Sequence, residues 1–261
     1  MIPRQLLSLS LLILCSYVTA QAAPLGLLVH EETFNLPTHT LAYRNGAATS
    51  ESGSGVSGHS DDRAYAANLP DSINRPGGPM AELTSFTEGE SFDAFTATLW
   101  YRLSTEQPEL MVPFSVHGIQ LLFHKQGPEI RIENSDTDPR FLQFTPGGQG
   151  PHLPWRKSDV WIFFAFSWDR ETNTLSIYQG TDQQPVRFMR NMNRPVPTKP
   201  SMPRDDLDRY PDTIGNTHGP RNDRPLAGRL DNIRLYRTTL PPDALELIRQ
   251  CDLQNVTPPI R

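Results

Sequence analysis

Asp212-Thr-Ile-Gly-Asn216 is followed by a polar loop, then by Leu226-Ala-Gly-Arg-Leu-Asp-Asn-Ile-Arg-Leu-Tyr236 and Leu240-Pro-Pro-Asp-Ala-Leu-Glu-Leu-Ile248. The pattern predicts a short strand ending in a glycine turn, a longer strand that a second glycine opens, and a short closing helix. Regular alternation along the longer strand places Asp231, Ile233 and Leu235 on one face. Burying a carboxylate among aliphatic side chains is costly, so Asp231 is expected to accept backbone hydrogen bonds or to bind a cation.

The rest of the chain reads as short strands separated by turns. Phe95–Arg102 alternates clearly, with Phe95, Ala97, Leu99 and Tyr101 on one face. The segment Trp161–Trp168 is apolar on both faces, which predicts a central strand between two layers. Scattered proline and glycine favour an all-β fold: a single two-sheet antiparallel β-sandwich over residues 23–251, with a tail at 252–261. We expect Leu245 and Ile248 to pack the short C-terminal helix against it.

The first 22 residues resemble a secretory signal. Arg4 forms the basic region, Leu6–Leu14 the apolar core, and Ala20-Gln21-Ala22 a small-x-small cleavage site. The apolar run is too short for a membrane span, so we predict a secreted or periplasmic protein. Cleavage removes Arg4 alone among charged residues, so the mature chain is one unit more negative than the −5 of the whole sequence. This acidity argues against a nucleic-acid partner.

Three of these segments together resemble LamG-like domains of the concanavalin A-like lectin/glucanase superfamily. Phe95–Arg102 is similar to an early family strand, Trp161–Tyr178 to a family hairpin, and Ile214–Ile248 to the closing strand and helix. The resemblance implies a jelly-roll sandwich that often binds glycans and sometimes carries a structural calcium ion. It supplies no sugar-contact motif that can be carried over to this chain.

Asp231 is the candidate calcium ligand, because calcium takes oxygen ligands and one well-placed carboxylate can anchor a site. Glu32 shares a face with Phe34 if the first strand is regular, which makes it the candidate partner. The alternative is a structural Asp231 held by hydrogen bonds.

Sugar binding usually needs an aromatic side chain with polar groups beside it. The framework strands account for Trp100, Trp161 and Trp168, whereas Trp155 lies in a Gly/Pro-rich loop that offers it nothing obvious to pack against. Four loop residues are therefore the candidate glycan contacts: Trp155, Tyr210, Asn216 and His218.

No catalytic motif is present at the expected spacing. The nearest carboxylate run is Glu88-Gly-Glu-Ser-Phe-Asp93, whose order and position differ from the Glu-x-Asp-x-x-Glu strand of the glucanases. Gly53-Ser-Gly-Val-Ser-Gly58 lacks the flanking strand and helix of a dinucleotide site. We therefore expect an exported, non-catalytic module that recognises a glycan or a cell-surface or matrix protein. Two alternatives remain: a glycan hydrolase or lyase with carboxylates from separate loops, and a structural or adhesive envelope protein.

Overall fold

The computed structural model describes residues 28–35, 41–44, 47–67, 79–83, 93–116, 118–124, 127–133, 141–144, 155–172, 174–193, 212–216 and 224–260. The predicted signal peptide, Tyr210 and His218 lie outside these residues. Within them the chain forms fifteen strands and one helix. In chain order these are β1 (Leu28–Glu32), β2 (Leu41–Arg44), β3 (Ala47–Thr49), β4 (Tyr65–Ala67), β5 (Met80–Leu83), β6 (Ala94–Leu103), β7 (Leu110–Val116), β8 (Ile119–His124), β9 (Gly127–Glu133), β10 (Phe141–Phe144), β11 (Ile162–Asp169), β12 (Thr174–Thr181), β13 (Arg187–Asn193), β14 (Thr213–Ile214), β15 (Gly228–Tyr236) and α1 (Pro242–Leu253).

The strands form two antiparallel sheets. The first has eight strands in the order β13-β12-β11-β6-β15-β4-β3, with β1 also paired to β15. The second has seven strands in the order β10-β9-β8-β7-β14-β5-β2. The predicted all-β, two-sheet antiparallel sandwich with a short C-terminal helix is therefore confirmed.

The main core lies between the two sheets. On β6 the inward side chains are Phe95, Ala97, Leu99 and Tyr101, as the alternation predicted, and all are buried. The second sheet contributes residues such as Phe123 to the same core. This face buries most of the apolar area that stabilises the fold.

A second apolar cluster covers the outer face of the first sheet. Trp100 and Phe163 on neighbouring strands lie 5.3 Å apart between ring centroids, and α1 covers them with Leu245 and Ile248. Both helix residues are fully buried. Strand β11 is therefore buried on both faces, as its continuous apolar sequence predicted.

A β-bulge interrupts β15 at Asn232. Asp231 pairs with Trp100 and Arg234 with Thr98, so β15 advances three residues while β6 advances two. Asn232 absorbs the extra residue with a φ of +48°, a left-handed conformation that asparagine tolerates better than most residues. The prediction that Asp231 shares a face with Ile233 and Leu235 is wrong, because the bulge reverses the alternation. Asp231 lies on the outer face, beneath the loop that contains Val56.

None of the helices in the described parts of the chain is long and apolar enough to cross a membrane.

Candidate functional site

A polar cleft of about 230 Å³ opens where β1, the bulge of β15 and the chain after α1 meet. We call it the Arg234 cleft, after the residue that anchors it. Eight of its nine lining residues are polar: Glu31, Thr33, Asn35, Asn232, Arg234, Asp252, Asn255, Val256 and Thr257.

Arg234 is the buried centre of the cleft, with only 3% of its side chain exposed. Its Nε donates to Glu31 Oε1 at 2.8 Å, and its Nη1 lies 2.8 Å from Asp252 Oδ1. Its Nη2 donates more weakly to Asn232 Oδ1 at 3.4 Å. Burial alone lowers the pKa of Arg234, but Asp252 and the other negative neighbours outweigh burial and raise it above its ordinary value. The guanidinium is therefore permanently charged and has a partner at each nitrogen.

Asp252 joins the helix to the sheet from the other side of Arg234. Its Oδ2 accepts a hydrogen bond from Trp100 Nε1 at 2.9 Å, and its side chain is 1% exposed. Burial raises the pKa of Asp252 to about 6, although Arg234 and the Trp100 indole oppose the shift. The carboxylate thus ties the last turn of α1 to both β6 and β15.

Backbone geometry brings the remaining groups to the cleft. The register of β1 against β15 pairs Glu31 with Arg234, which places the two side chains side by side. After α1 the chain turns at Asn255, which has a φ of +52°. Its backbone N–H donates to Asp252 O at 3.1 Å, and its Nδ2 donates to Asp61 Oδ1 at 3.0 Å. This turn directs Val256 and Thr257 back to the mouth of the cleft.

The lining combines hydrogen-bonding groups with a small net negative charge. One guanidinium and two carboxylates leave a net charge of −1 when all three are ionised, and the other polar groups are amides and hydroxyls. None of the described lining residues is aromatic. Asp252 is ion-paired with Arg234, accepts from Trp100 at Oδ2 and has almost no exposed surface, so it is poorly placed to act on a substrate as a general acid or nucleophile.

The two predicted calcium ligands do not form one site. Asp231 accepts hydrogen bonds at 2.8 Å from the backbone N–H groups of Val56 and Asn232. Glu32 pairs with Ile233 and therefore points to the inner core, where it accepts from the Phe34 N–H at 2.9 Å. The described residues contain no group of three or more His, Cys, Asp and Glu side chains arranged to hold a metal. The hydrogen-bonded alternative for Asp231 matches this geometry.

Two of the four predicted glycan contacts are described. Trp155 is half-buried, with its ring centroid 5.6 Å from that of Phe123 and Arg156 Cζ 5.5 Å from its own ring. It therefore packs against the main core, which the loop sequence did not indicate. Asn216 is fully buried and accepts from the Arg224 N–H at 3.1 Å, so it has no surface for a ligand in this arrangement. Neither residue lines the Arg234 cleft.

Sequence reasoning missed the cleft residues altogether. Regular alternation along the strand did not predict that Arg234 is buried. Asp252 was predicted to lie in the C-terminal tail. The available signal was Asp231-Asn232, because asparagine is enriched at left-handed positions and so marks a possible bulge. A bulge there would have moved Asp231 and Arg234 to the same face.

Comparisons with known proteins bear on the fold. No protein-family model and no curated protein matches the sequence. Among solved structures, the botulinum neurotoxin serotype G binding domain is similar with a TM-score of 0.51 at 9% identity, over 84% of this chain and 50% of that one. The serotype D ligand binding domain in complex with N-acetylneuraminic acid has a TM-score of 0.49 at 8% identity, over 80% and 46%. Ruminococcus gnavus IT-sialidase CBM40 bound to α2,3-sialyllactose has a TM-score of 0.40 at 13% identity, over 60% and 83%.

The likeness to the serotype G domain shows a shared β-sandwich fold and no more. The chain matches about half the length of each toxin domain. Membership of the LamG-like family stays a prediction.

Proposed function

We propose that this protein is an exported, non-catalytic carbohydrate-binding module that holds its ligand in the Arg234 cleft. The observation that carries the proposal is the cleft itself: a concave site lined by amides and hydroxyls around an immobilised ion-pair network. Because none of the described lining residues is aromatic, recognition in this cleft relies on hydrogen bonds instead of an aromatic platform. Sugar hydroxyls need fixed donors and acceptors, and fixed partners lower the ordering cost of binding.

The size of the cleft limits what it can hold. Its volume of about 230 Å³ is below the roughly 300–1,000 Å³ typical of pockets for drug-sized ligands. One sugar ring, or the end of a glycan chain, is a suitable occupant. The fold is compatible with this role, since the similar serotype G structure is itself a binding domain.

The ion pairing of the two carboxylates in the cleft supports a binding role without catalysis. Retaining glycosidases need two carboxyl groups about 5–5.5 Å apart that both reach the sugar. In this cleft Glu31 and Asp252 both bind Arg234, and Asp252 is also held by Trp100. Neither carboxylate is positioned as part of an acid–nucleophile pair.

The test is a glycan array probed with the mature chain from Ala23 onward, first with calcium and then with a chelator. We expect binding by the wild type and loss of binding in Thr33→Val and Thr257→Val, because both substitutions remove a hydroxyl from the cleft lining without touching the ion pairs. Thr239→Val is the matched control, since Thr239 is exposed and lies outside the cleft. Absence of wild-type binding to every glycan contradicts the proposal.

The chelator decides the role of calcium separately. Binding that survives chelation shows that recognition needs no metal, and binding that disappears shows that recognition needs a divalent cation without locating it at Asp231.

A further inference from the structure

We propose that the Arg234 cleft selects sugars by charge: it favours a sugar carrying an amine over the neutral sugar, and disfavours an acidic sugar. This inference rests on the proposed function and names the ligand class of the same cleft. It follows from the distribution of charge among the lining side chains.

Among the described residues, the only cation lining the cleft is buried and already paired. Each nitrogen of the Arg234 guanidinium has an oxygen partner, on Glu31, Asp252 or Asn232. A ligand carboxylate that took one of these positions would leave Glu31 or Asp252 without its counter-charge. Removing one member of a buried ion pair is strongly unfavourable. Arg234 therefore gives an acidic sugar no anchoring point.

Glu31 is the most exposed of the three charged side chains that the structure places in the cleft lining. Its side chain is 20% exposed, against 3% for Arg234 and 1% for Asp252. A ligand entering the cleft therefore meets a carboxylate before it meets the guanidinium. An ammonium group or a hydroxyl can donate to that carboxylate, whereas a second carboxylate is repelled by it.

Charged residues near the cleft also favour an amine over an acid. Asp61 accepts a hydrogen bond from Asn255 at the rim, which adds an exposed acidic group. Arg63 donates its backbone N–H to Asn35 Oδ1 at 2.7 Å, while its Nη1 donates to Ser50 O at 3.1 Å. Its guanidinium is thus directed to the loop that contains Ser50.

The neutral part of the lining explains why the ligand is still a sugar. Thr33 and Thr257 supply hydroxyl groups, and Asn35 supplies an amide, around the buried ion pairs. These groups can donate to and accept from ring hydroxyls at the same time. The amine then adds one charge-assisted contact to an otherwise neutral recognition site.

The test uses nine methyl glycosides: glucose, galactose and mannose, each as the neutral sugar, the 2-amino sugar and the uronic acid. Dissociation constants are measured at pH 7 by ligand-observed NMR on the mature chain. For each parent sugar that binds, we expect the amine to bind about tenfold more tightly than the acid, a difference of about 1.4 kcal/mol, with the neutral sugar between them. An acid that binds as tightly as its amine overturns the charge rule while leaving sugar recognition intact. Absence of binding by all nine contradicts the proposed function as well.

The Glu31→Gln variant tests whether the preference for the amino sugar depends on Glu31. The substitution keeps the shape of the side chain and removes one negative charge, so the tenfold preference for the amine should disappear. Glu51→Gln is the matched control, because Glu51 is exposed and does not line the cleft. Thermal unfolding checks that both variants fold. A folded Glu31→Gln variant with an unchanged preference contradicts the assignment to this cleft.

Discussion

Arg234 Nη1 on β15 lies 2.8 Å from Asp252 Oδ1 in the last turn of α1, and both side chains are almost completely buried. Each ion would be costly to bury alone, but together with Trp100 and Glu31 they form a network of ion pairs and hydrogen bonds. The network joins the C-terminal helix to the outer face of the first sheet. The same contact supplies the immobile base of the cleft.

Asp252→Asn should therefore destabilise the protein. The change leaves Arg234 without the more deeply buried of its two counter-charges, and breaking a buried pair costs about 3–5 kcal/mol of unfolding free energy. Urea denaturation measures this loss. Asp243→Asn is the control: Asp243 is exposed in the first turn of α1, where a carboxylate contributes about 0.3–1 kcal/mol. Equal losses in the two variants would show that the buried pair is not a major stabilising contact.

Stability should also depend on pH through Asp231. Burial, followed by the nearby Asp62, raises the pKa of Asp231 well above its ordinary value. The folded state therefore binds a proton at pH values where the unfolded chain has released it. This contribution to the unfolding free energy is present at low pH and is lost as the pH rises through the folded pKa.

Asp231→Asn isolates that contribution, because asparagine cannot titrate. Burial lowers the pKa of His30 to about 4, so His30 makes the folded state more stable as the pH rises from about 4 to 6.5. His30 is present in both the wild type and the variant, so its contribution cancels when the two are compared. The loss of one backbone hydrogen bond adds a pH-independent cost of about 1–3 kcal/mol. We expect the stability of the variant, relative to wild type, to improve from pH 5 to pH 8. A constant difference would contradict the raised pKa.

Substitutions at Asn232 test directly whether β15 contains the bulge. A β-branched residue at a φ of +48° costs more than the roughly 1–2 kcal/mol of an ordinary L-residue, whereas glycine adopts this conformation freely. Asn232→Val should therefore unfold at clearly lower urea concentration than Asn232→Gly, which should stay within about 1 kcal/mol of wild type. Similar midpoints for the two variants would mean that β15 continues without a bulge.

Trp155 distinguishes core packing from sugar contact. Its ring packs on Phe123, so Trp155→Ala should lower the unfolding free energy by about 1.5–3 kcal/mol, while Trp155→Phe keeps most of the contact. Sugar binding at the Arg234 cleft should be unchanged in both. If Trp155→Ala abolishes glycan binding but keeps its stability, Trp155 is the contact that its loop sequence predicted.

Export is tested by the N-terminus of the mature protein. The signal-like segment predicts cleavage after Ala22, so mass spectrometry of the protein from outside the cytoplasm should find a chain that begins at Ala23. Arg4→Glu should retard export by removing the positive charge of the basic region. A chain that keeps Met1 would contradict the prediction.

Local sequence determined the layers of this fold. The alternation in Phe95–Arg102, the two-sided apolar run before Trp168 and the spacing of Leu245 and Ile248 each predicted which faces are buried, and the structure places all of them accordingly. Such patterns are informative because burial repeats every two residues on a strand and about every three or four on a helix. They depend on neighbours in sequence, so they can be read without knowing the partner strand.

Only the tertiary structure brings the residues of the Arg234 cleft together. Glu31 and Arg234 are 203 residues apart, and their contact depends on the register of β1 against β15. The face on which Arg234 lies depends in turn on the bulge at Asn232, which adds one residue and reverses every later side chain. Asp252 reaches them only because α1 packs on the outer face of the sheet. Register and the meeting of these elements are set by the packing of distant segments against one another, and a local signal such as Asn232 marks a bulge without showing which residues it brings together.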